Sequence, residues 1–299
     1  MKKVAIVSCD RWKDKIDEDK LLKAALNNKG IATDIISWQT DSIEGYDLLV
    51  LRSVWGYQND YFNFKKWLSE IEKKRIHLEN QPSIILNNID KEVQFDILQK
   101  NDIDYIKTLF VKSKDFSHSE LKSIIGENAP YVLKPTISGS GENTFLIDPN
   151  DTLGDIPNKI SMNNAEIIFS NLFKTNNNCN LMIQPYVSEI QNGEYSCIFI
   201  DGELTHTMLR FPNIFHDKKH PYLVKPPKAI IDMANKVEEI KQFEGYLYMR
   251  VDMVLINNQA KIMEVELAEP DLLIKYVDDL NLQDSIVKTF ARKIERRIK

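Results

Sequence analysis

The segments Arg250-Val251-Asp252 and Met263-Glu264-Val265-Glu266 lie in two apolar stretches joined by the turn Asn257-Asn258-Gln259. Side chains alternate between the two faces of a strand, so Glu264 and Glu266 share one face. A three-residue loop at 257–259 would place Asp252 opposite Glu264 and Arg250 opposite Glu266. This register leaves an apolar second face that includes Met263, whereas a slip by one residue would scatter both sets. We therefore expect an antiparallel hairpin with one charged face and one core face.

The charged face of this hairpin predicts a metal site. Three carboxylates on a half-buried face repel one another, which raises their pKa values. Mg²⁺ binds oxygen ligands and commonly joins carboxylates to nucleotide phosphates. Asp252, Glu264 and Glu266 are the candidate ligands. The alternative interpretation is an edge hairpin whose charges are simply solvated.

A lysine followed by a loop of small residues forms a second candidate site. Residues 131–144 read Tyr-Val-Leu-Lys-Pro-Thr-Ile-Ser-Gly-Ser-Gly-Glu-Asn-Thr, so Lys134 ends an apolar strand. Small residues let backbone N–H groups approach phosphate oxygens, and the lysine supplies a point charge. The loop lacks the P-loop pattern, and it lies between two strands, unlike the Rossmann dinucleotide fingerprint. A Gly/Ser hairpin loop without a ligand is the alternative.

The N-terminal part alternates short apolar runs with helical patterns, which favours a parallel sheet with helices on its faces. Within it we expect a helix over 17–29 and a strand over 83–86. The segment 52–57 follows another predicted strand, and ligands of such sheets bind at carboxyl ends of strands. Its candidates for substrate contact are Arg52, which can pair with a carboxylate, and the aromatic residues Trp55 and Tyr57. Trp55 is equally well explained as a core residue.

The composition limits the class of protein. The chain has 299 residues, of which 43% are hydrophobic and 28% charged, with a net charge of -5. This acidic balance disfavours a nucleic-acid partner. Three scattered cysteines indicate neither a zinc site nor a disulfide framework. No apolar run approaches the ~20 residues of a membrane span, and charges at residues 10–11 interrupt the N-terminal run too early for a signal peptide. We expect a cytoplasmic protein without a membrane partner.

Taken in their order along the chain, the motifs resemble those of the ATP-grasp superfamily, and the resemblance covers nearly the whole chain. Residues 86–91, Leu-Asn-Asn-Ile-Asp-Lys, resemble the element that opens its ATP-binding part, and residues 132–135 resemble its second lysine strand. Residues 184–187, Gln-Pro-Tyr-Val, resemble the hinge that binds adenine. The hairpin resembles the R-x-D…E-x-N magnesium element, with Glu266 in place of the usual asparagine.

The resemblance implies an α/β (α+β) architecture, the ATP-grasp fold with an N-terminal Rossmann-like pre-ATP-grasp domain. That substrate-side domain would span 1–88 and the ATP-grasp domain 89–299. Within the latter, about 105–186 would form the smaller ATP-binding subdomain and 187–299 the metal-binding subdomain.

The resemblance also implies ATP and one or two Mg²⁺ ions, with Mn²⁺ as an alternative ion. The residues that would bind the nucleotide are Lys91, Lys134, Ser138, Gly139, Ser140, Gly141, Gln184, Tyr186, Val187, Glu189 and Glu194. Glu189 and Glu194 are alternatives for the ribose. Arg250 would stabilise charge on the transferring phosphoryl group, and Arg210 is a second catalytic candidate whose alternative is a surface salt bridge.

Within the superfamily the chain looks most like bacterial enzymes grouped with prokaryotic glutathione synthetase and the cycloserine-forming cyclo-ligase. The supporting segments are 52–57, near R-S-x-W-D-Y, and 264–270, Glu-Val-Glu-Leu-Ala-Glu-Pro. Such enzymes join a small carboxylate to an amine through an acyl phosphate and release ADP and phosphate. The segment 215–222 departs from the Gly-Asp-Phe-Arg-like segment of those relatives, which leaves the substrate open.

Several alternatives remain open on the sequence alone. They are an intramolecular cyclo-ligase, a modifier of peptides, a kinase, and an ATP-binding protein without catalysis. A homodimer is compatible with the resemblance.

Overall fold

Three β-sheets form the framework of the molecule. The computed structural model describes residues 1–112, 123, 130–139, 141–154, 156, 158–175, 179–211 and 220–298. Across these ranges the chain forms a parallel N-terminal sheet and two antiparallel sheets, one in the middle and one in the C-terminal part. None of the helices in these ranges is long and apolar enough to cross a membrane.

The N-terminal sheet has four parallel strands in the order β2-β1-β3-β4. The strands are β1 (Lys3–Ser8), β2 (Ala32–Ser37), β3 (Leu48–Leu51) and β4 (Leu78–Glu79), and the helices between them are α1 (Asp17–Asn28) and α2 (Tyr61–Lys74). Alternate residues of β1 face opposite sides, as the two-residue period of a strand requires. Val4 and Ile6 pack into the core formed with α1, whereas Ala5 and Val7 pack into the core formed with α2. Helices therefore cover both faces, as the strand–helix alternation predicted.

The predicted strand at 83–86 is wrong, because these residues lie in helix α3 (Pro82–Ile89). Pro82 stands at the start of this helix, where its fixed φ and missing N–H are tolerated. A short apolar run cannot by itself distinguish a strand from a buried helix turn. The fourth strand is instead the two-residue β4, and α3 leads directly into α4 (Lys91–Lys100), whose N-cap Asp90 accepts a hydrogen bond from the backbone of Glu92.

The two antiparallel sheets carry the rest of the chain. The middle sheet has the order β5-β8-β6-β7, with α5 (Met162–Thr175) against it. Its strands are β5 (Leu109–Val111), β6 (Tyr131–Pro135), β7 (Phe145–Ile147) and β8 (Leu181–Pro185). The C-terminal sheet has the order β11-β10-β9-β12-β13. Its strands are β9 (Glu194–Ile200), β10 (Glu203–Arg210), β11 (Tyr222–Leu223), β12 (Tyr248–Ile256) and β13 (Gln259–Glu266), and α6 (Lys228–Glu238) packs beside it.

The charged hairpin has the predicted pairing at the candidate site but not at its turn. Asp252 lies opposite Glu264 and Arg250 opposite Glu266, as expected. The turn, however, pairs Ile256 with Gln259, so the loop has two residues rather than three. A β-bulge between these regions restores the register, because it inserts one extra residue into β13. The bulge also moves Met263 away from the core face to which the sequence assigned it, into an apolar cluster with Ile106, Ile190 and Val254.

The C-terminal helix α7 (Leu280–Arg297) closes the molecule against its N-terminal part. Its apolar stripe of Ile286, Phe290 and Ile294 is buried in one core with Leu22 and Leu26 of α1. Near the end of α7, Arg297 pairs with Glu79 and Asp201. The first and last parts of the chain thus share a core.

Candidate active site

The charged candidate residues come together where the middle and C-terminal sheets meet, a region that we call the cleft. Arg250 and Asp252 project from β12, Glu264 and Glu266 from β13, and Arg210 ends β10. Lys134 comes from β6 of the middle sheet, and Lys91 from the first turn of α4. The pairing of β12 with β9 brings Ser196 opposite Asp252. Residues more than 150 positions apart along the sequence therefore form one polar cluster.

Asp252 is the most enclosed carboxylate of this cluster, with 1% of its side chain exposed. Arg250 donates to it at 2.9 Å, Arg210 donates at 2.6 Å, and the hydroxyl of Ser196 donates at 2.6 Å. Burial alone would raise the pKa of Asp252, but the guanidinium groups of Arg210 and Arg250 hold this pKa below its usual range. Asp252 is thus an ionised carboxylate whose oxygens already have donors.

Glu264 and Glu266 face the cleft, and a quarter of each side chain is exposed. Glu264 pairs with Lys91 at 3.0 Å, and Glu266 pairs with Arg250. Burial would raise the pKa of Glu264, but Lys91 and Lys134 hold it below its usual value. Burial raises the pKa of Glu266 to about 7 against the influence of Arg250. The pKa values of these two carboxylates shift in opposite directions because Glu264 has two lysines nearby.

The three predicted metal ligands share one face but are turned toward cations rather than toward a common point. Within the described ranges, no three acidic, histidine or cysteine side chains form a cluster ready to hold a metal ion. One oxygen of each carboxylate is engaged by a cation: Oε1 of Glu264 by Lys91, Oδ2 of Asp252 by Arg210, and Oε1 of Glu266 by Arg250. The arrangement supplies hard oxygen donors for Mg²⁺, provided that these cations move to other partners.

The ammonium group of Lys134 makes no hydrogen bond or ion pair to any other described residue. Its pKa is lowered, first because its ammonium is removed from water and also because Lys91 is near, while Glu264 acts in the opposite direction. The residue as a whole keeps partial exposure. An unpaired ammonium at the edge of a charged cleft is available to an anionic ligand.

Side-chain amides fix the edge strand that carries Glu264 and Glu266. Gln94 accepts from the backbone N–H of Val265 at 2.9 Å and donates to its carbonyl at 2.7 Å. Asn88 accepts from the N–H of Leu267 and also donates to the Val265 carbonyl. These amides replace the neighbouring strand that β13 lacks. They hold in place the two carboxylates on either side of Val265.

The loop after Lys134 is tied to both neighbouring parts of the chain. The backbone N–H of Lys91 donates to the carbonyl of Thr136 at 3.0 Å, and its ammonium donates to the carbonyl of Ser138 at 2.8 Å. On the other side, Gln58 donates to Glu142 at 2.6 Å. Ser138, Gly139 and Gly141 lie in this bridging loop, and Ser140 lies outside the described residues.

The predicted hinge adjoins an apolar patch. Gln184 is buried and donates to Thr108 at 2.9 Å, and the next residues, Tyr186 and Val187, pack against Ile106, Ile190 and Val254. Met263 joins this patch from the bulge of β13. The patch therefore extends from the hinge to the residue preceding Glu264.

The two ribose candidates occupy different positions. Glu194 is 7% exposed and accepts from Arg210 at 2.8 Å. Burial raises its pKa to about 7 despite Arg210. Glu189 is partly exposed in the single 3-10 turn that follows the hinge. Glu194 thus belongs to the charged cluster, whereas Glu189 lies at the rim beside the apolar patch.

Of the substrate-side candidates, Arg52 and Tyr57 are enclosed by the protein itself. Arg52 is 4% exposed, pairs with Glu18 at 3.2 Å, and donates to the carbonyl of Pro270 at 3.1 Å. Tyr57 is 2% exposed and packs on Phe64. Both side chains thus have partners within the protein, and their contact with a substrate stays a prediction. Trp55 is partly exposed, and its indole N–H donates to the carbonyl of Glu269.

Three supporting residues were not predicted from the sequence. Ser196, Asn88 and Gln94 reach their partners only because strands and helices distant in the chain pack together. Asn88 could have been noticed within the motif at 86–91, but a serine within a strand and a glutamine within a helix carry no recognisable signal. The segment 215–222 lies largely outside the described residues, so its role remains a prediction.

The structure has the ATP-grasp fold, as its likeness to solved structures shows. The structure superposes on that of the D-cycloserine synthetase DcsG with a TM-score of 0.81 and 18% identity, over 99% of this chain and 100% of the other. It superposes on a D-alanine–D-alanine ligase from Bacillus anthracis with a TM-score of 0.67 and 16% identity, over 100% and 98% of the two chains. It also superposes on the ATP-grasp ligase PsnB, solved with a precursor variant, Mg and ADP. That superposition has a TM-score of 0.63 and 10% identity, over 100% of this chain and 99% of the other.

At the level of sequence the similarity is narrower. Residues 4–80 match the family described as the D-cycloserine synthetase DcsG N-terminal domain. A search of curated protein sequences gives no significant match. The N-terminal sheet is thus the part of the chain for which a sequence family and a solved structure point to the same relative.

Proposed function

We propose that the protein is an ATP-dependent carboxylate–amine ligase that acts on small amino-acid-like substrates. The observation that carries this proposal is the convergence of Lys91, Lys134, Arg250 and the carboxylates of β12 and β13 in one cleft of an ATP-grasp fold. Phosphoryl transfer depends mainly on positioning and on neutralising charge. Cations from three separate elements, facing acidic residues, provide both.

The nucleotide would lie between the two antiparallel sheets. The apolar patch of Met263, Val187 and Ile190 would contact the adenine, and Gln184 and Tyr186 would border it. We assign the ribose to Glu189 rather than Glu194, because Arg210 already engages the carboxylate of Glu194. Lys134, together with the backbone of the loop at 138–141, would bind the phosphates.

Asp252, Glu264 and Glu266 would hold Mg²⁺, which supplies charge neutralisation to the phosphates of ATP. Glu264 and Glu266 are the accessible members of this set, and Asp252 is the enclosed one. The cations that they now engage are those that an ATP phosphate would attract. One or two ions, and Mn²⁺ in place of Mg²⁺, are compatible with this donor set.

The chemistry that we infer has two steps. In the first, an oxygen of the substrate carboxylate attacks the γ-phosphorus of ATP, the bond to the β-phosphate oxygen breaks, and ADP leaves. In the second, an amine attacks the acyl carbon, phosphate leaves with the bonding pair, and the nitrogen loses a proton. Arg250, fixed by Asp252 and by the carbonyl of Asp271 at 2.8 Å, and Arg210 would stabilise the developing negative charge.

Intramolecular ring closure is the second candidate. It is favoured by the match of residues 4–80 to the D-cycloserine synthetase domain and by the TM-score of 0.81 to that enzyme. In that case the carboxylate and the nucleophile belong to one molecule. The structures of PsnB hold a precursor peptide, so a peptide substrate is a further alternative.

The test is phosphate release from Mg-ATP with single and paired amino acids, hydroxy acids and ureido acids, followed by mass spectrometry of the products. Two required substrates and an amide product would establish ligation between molecules. One substrate that loses water would establish ring closure. A phosphorylated product without an amide would identify a kinase, and ATP binding without stimulated turnover would leave a non-catalytic binding protein or a peptide modifier.

A further inference from the structure

Glu269 is a buried carboxylate that the proposed mechanism does not use. It lies shortly after the end of β13, beyond Leu267 and Ala268, and is 8% exposed. Its backbone is held, because the indole of Trp55 donates to its carbonyl at 2.9 Å. Among the described residues, no cation pairs with its side chain and no donor forms a hydrogen bond to it. The nearby ammonium of Lys91 binds Glu264 and the carbonyl of Ser138 instead. Burial, and then the charge of Glu266, raise the pKa of Glu269 to about 8, so a cationic ligand beside it would stabilise its ionised form.

A second acceptor without a donor lies beside it. The amide oxygen of Gln58 is buried and has no hydrogen-bond partner. A β-carbon on Gly139 would lie 3.3 Å from Oε1 of Glu269 and 3.6 Å from Oε1 of Gln58. Both oxygens therefore border the same small space next to the loop that we assign to the phosphates.

The orientation of Gln58 follows from its neighbours. Gln58 stands between two carboxylates, those of Glu142 and Glu269, and its amide has one NH₂ group. That group donates to Glu142 at 2.6 Å, and Asn59 donates to the same oxygen at 3.3 Å. The amide nitrogen of Gln58 therefore faces Glu142, and its amide oxygen lies near Gly139, as Oε1 of Glu269 does.

We propose that Glu269 and Gln58 form the binding site for a primary ammonium group of the substrate. An ammonium carries three N–H donors and a positive charge, so it can satisfy a carboxylate and an amide oxygen together. The site lies beside the loop that borders Lys91 and Lys134, so a bound amino acid would be held next to the phosphates. This inference rests on the proposed function, and it narrows the substrate to compounds with a free amino group.

The test is calorimetric titration of the full-length protein with saturating Mg²⁺ and the ATP analogue AMPPNP. The probes are the common amino acids in both enantiomers and the 2-hydroxy acids that match them. Glu269→Gln preserves the shape of the side chain and removes the group that can become a carboxylate. Glu203→Gln, at an exposed position, is the matched control.

We expect the wild-type protein to bind at least one amino acid roughly ten- to a hundredfold more tightly than the matching hydroxy acid, as loss of a charged hydrogen bond implies. Glu269→Gln should remove this difference by weakening the amino acid alone, and Glu203→Gln should keep it. Neither change should alter the affinity for Mg-AMPPNP.

Three results would overturn the inference while leaving the proposed function intact. They are wild-type affinity of Glu269→Gln for the amino acid, equal affinity of the wild-type protein for amino and hydroxy acids, and binding of no amino acid at all. Weaker binding of Mg-AMPPNP by Glu269→Gln would also overturn it, since Glu269 would then hold a metal ion. Failure of the wild-type protein to bind Mg-AMPPNP would refute the proposed function itself.

Discussion

Lys91 and Glu264 form a 3.0 Å ion pair between the first turn of α4 and the edge strand β13. The same ammonium donates to the carbonyl of Ser138, so a single group links the acidic face to the loop over the cleft. Burial would lower the pKa of Lys91, but Glu264 holds it above its usual value. A cation bound at Glu264 would therefore free a charged lysine for a phosphate oxygen.

Replacement of Lys134 by alanine should abolish ATP turnover without unfolding the protein. Its ammonium contacts no other described side chain, so its loss removes charge from the cleft but no internal partner. We expect a decrease in phosphate release of at least about a hundredfold and an unchanged circular dichroism melting curve. Lys236→Ala, at an exposed position of α6, is the control. Full activity of Lys134→Ala would refute its assignment.

Glu264→Ala should likewise abolish turnover, through loss of Mg²⁺ binding. Isothermal titration with Mg²⁺ and AMPPNP should show a weaker metal-dependent complex, whereas Glu203→Ala should bind as the wild-type protein does. Unchanged metal dependence in Glu264→Ala would place the metal elsewhere.

Replacement of Gln94 by leucine should destabilise the edge strand that carries the acidic pair. It leaves the buried N–H of Val265 without a partner, which costs about 1–3 kcal/mol in the free energy of unfolding. Because Glu264 and Glu266 flank Val265, the KM for Mg-ATP should also rise. Urea denaturation and steady-state kinetics measure the two effects. Gln99→Leu, exposed on the same helix, should change neither, and a stable variant with normal kinetics would show that the amide is dispensable.

Arg52 should act on stability rather than on substrate binding. Arg52→Met leaves Glu18 and Asp19 buried without their cation, which should cost about 3–5 kcal/mol in the free energy of unfolding. Arg292→Met, exposed on α7, should cost less than about 0.5 kcal/mol. Denaturant titration distinguishes the two, and adding Glu18→Gln to Arg52→Met should recover part of the loss. Normal stability combined with a raised substrate KM would restore the role that the sequence suggested.

His206 should make the protein less stable in mild acid. Burial lowers the pKa of His206 to about 4, against the hydrogen bond that it makes to the carbonyl of Leu272. Its usual value, near 6.5, applies to the unfolded chain. Between these two pH values His206 is protonated in the unfolded state but neutral in the folded state. Stability that is present above pH 6.5 is therefore lost as the pH falls toward 4.

The full loss in the free energy of unfolding caused by protonation of His206 is about 3 kcal/mol. We would measure the free energy of unfolding of the wild-type protein and of His206→Gln across this pH range. All other groups titrate in both proteins, so the difference between the two pH profiles isolates the contribution of His206. Parallel pH profiles would show that His206 does not contribute.

The sequence by itself determined those elements whose cause is local. The strand–helix alternation of the first 88 residues predicted the parallel sheet. The charged positions of the hairpin predicted the pairing of Asp252 with Glu264, because a strand has a strict two-residue period. Short apolar runs have no such period, which is why residues 83–86 were mistaken for a strand.

Only the tertiary structure decided which of the charged side chains are paired within the protein and which can meet a ligand. Arg52 and Lys134 both follow apolar strands in the sequence, yet Arg52 is enclosed by Glu18 and Asp19 while Lys134 has no such partner. The two-residue turn and the bulge near Met263 also depend on the strand opposite, since the correct register at the site could be reached by either loop length. The pairing of a charge depends on groups that are brought near only by packing, and these groups lie far away in the sequence.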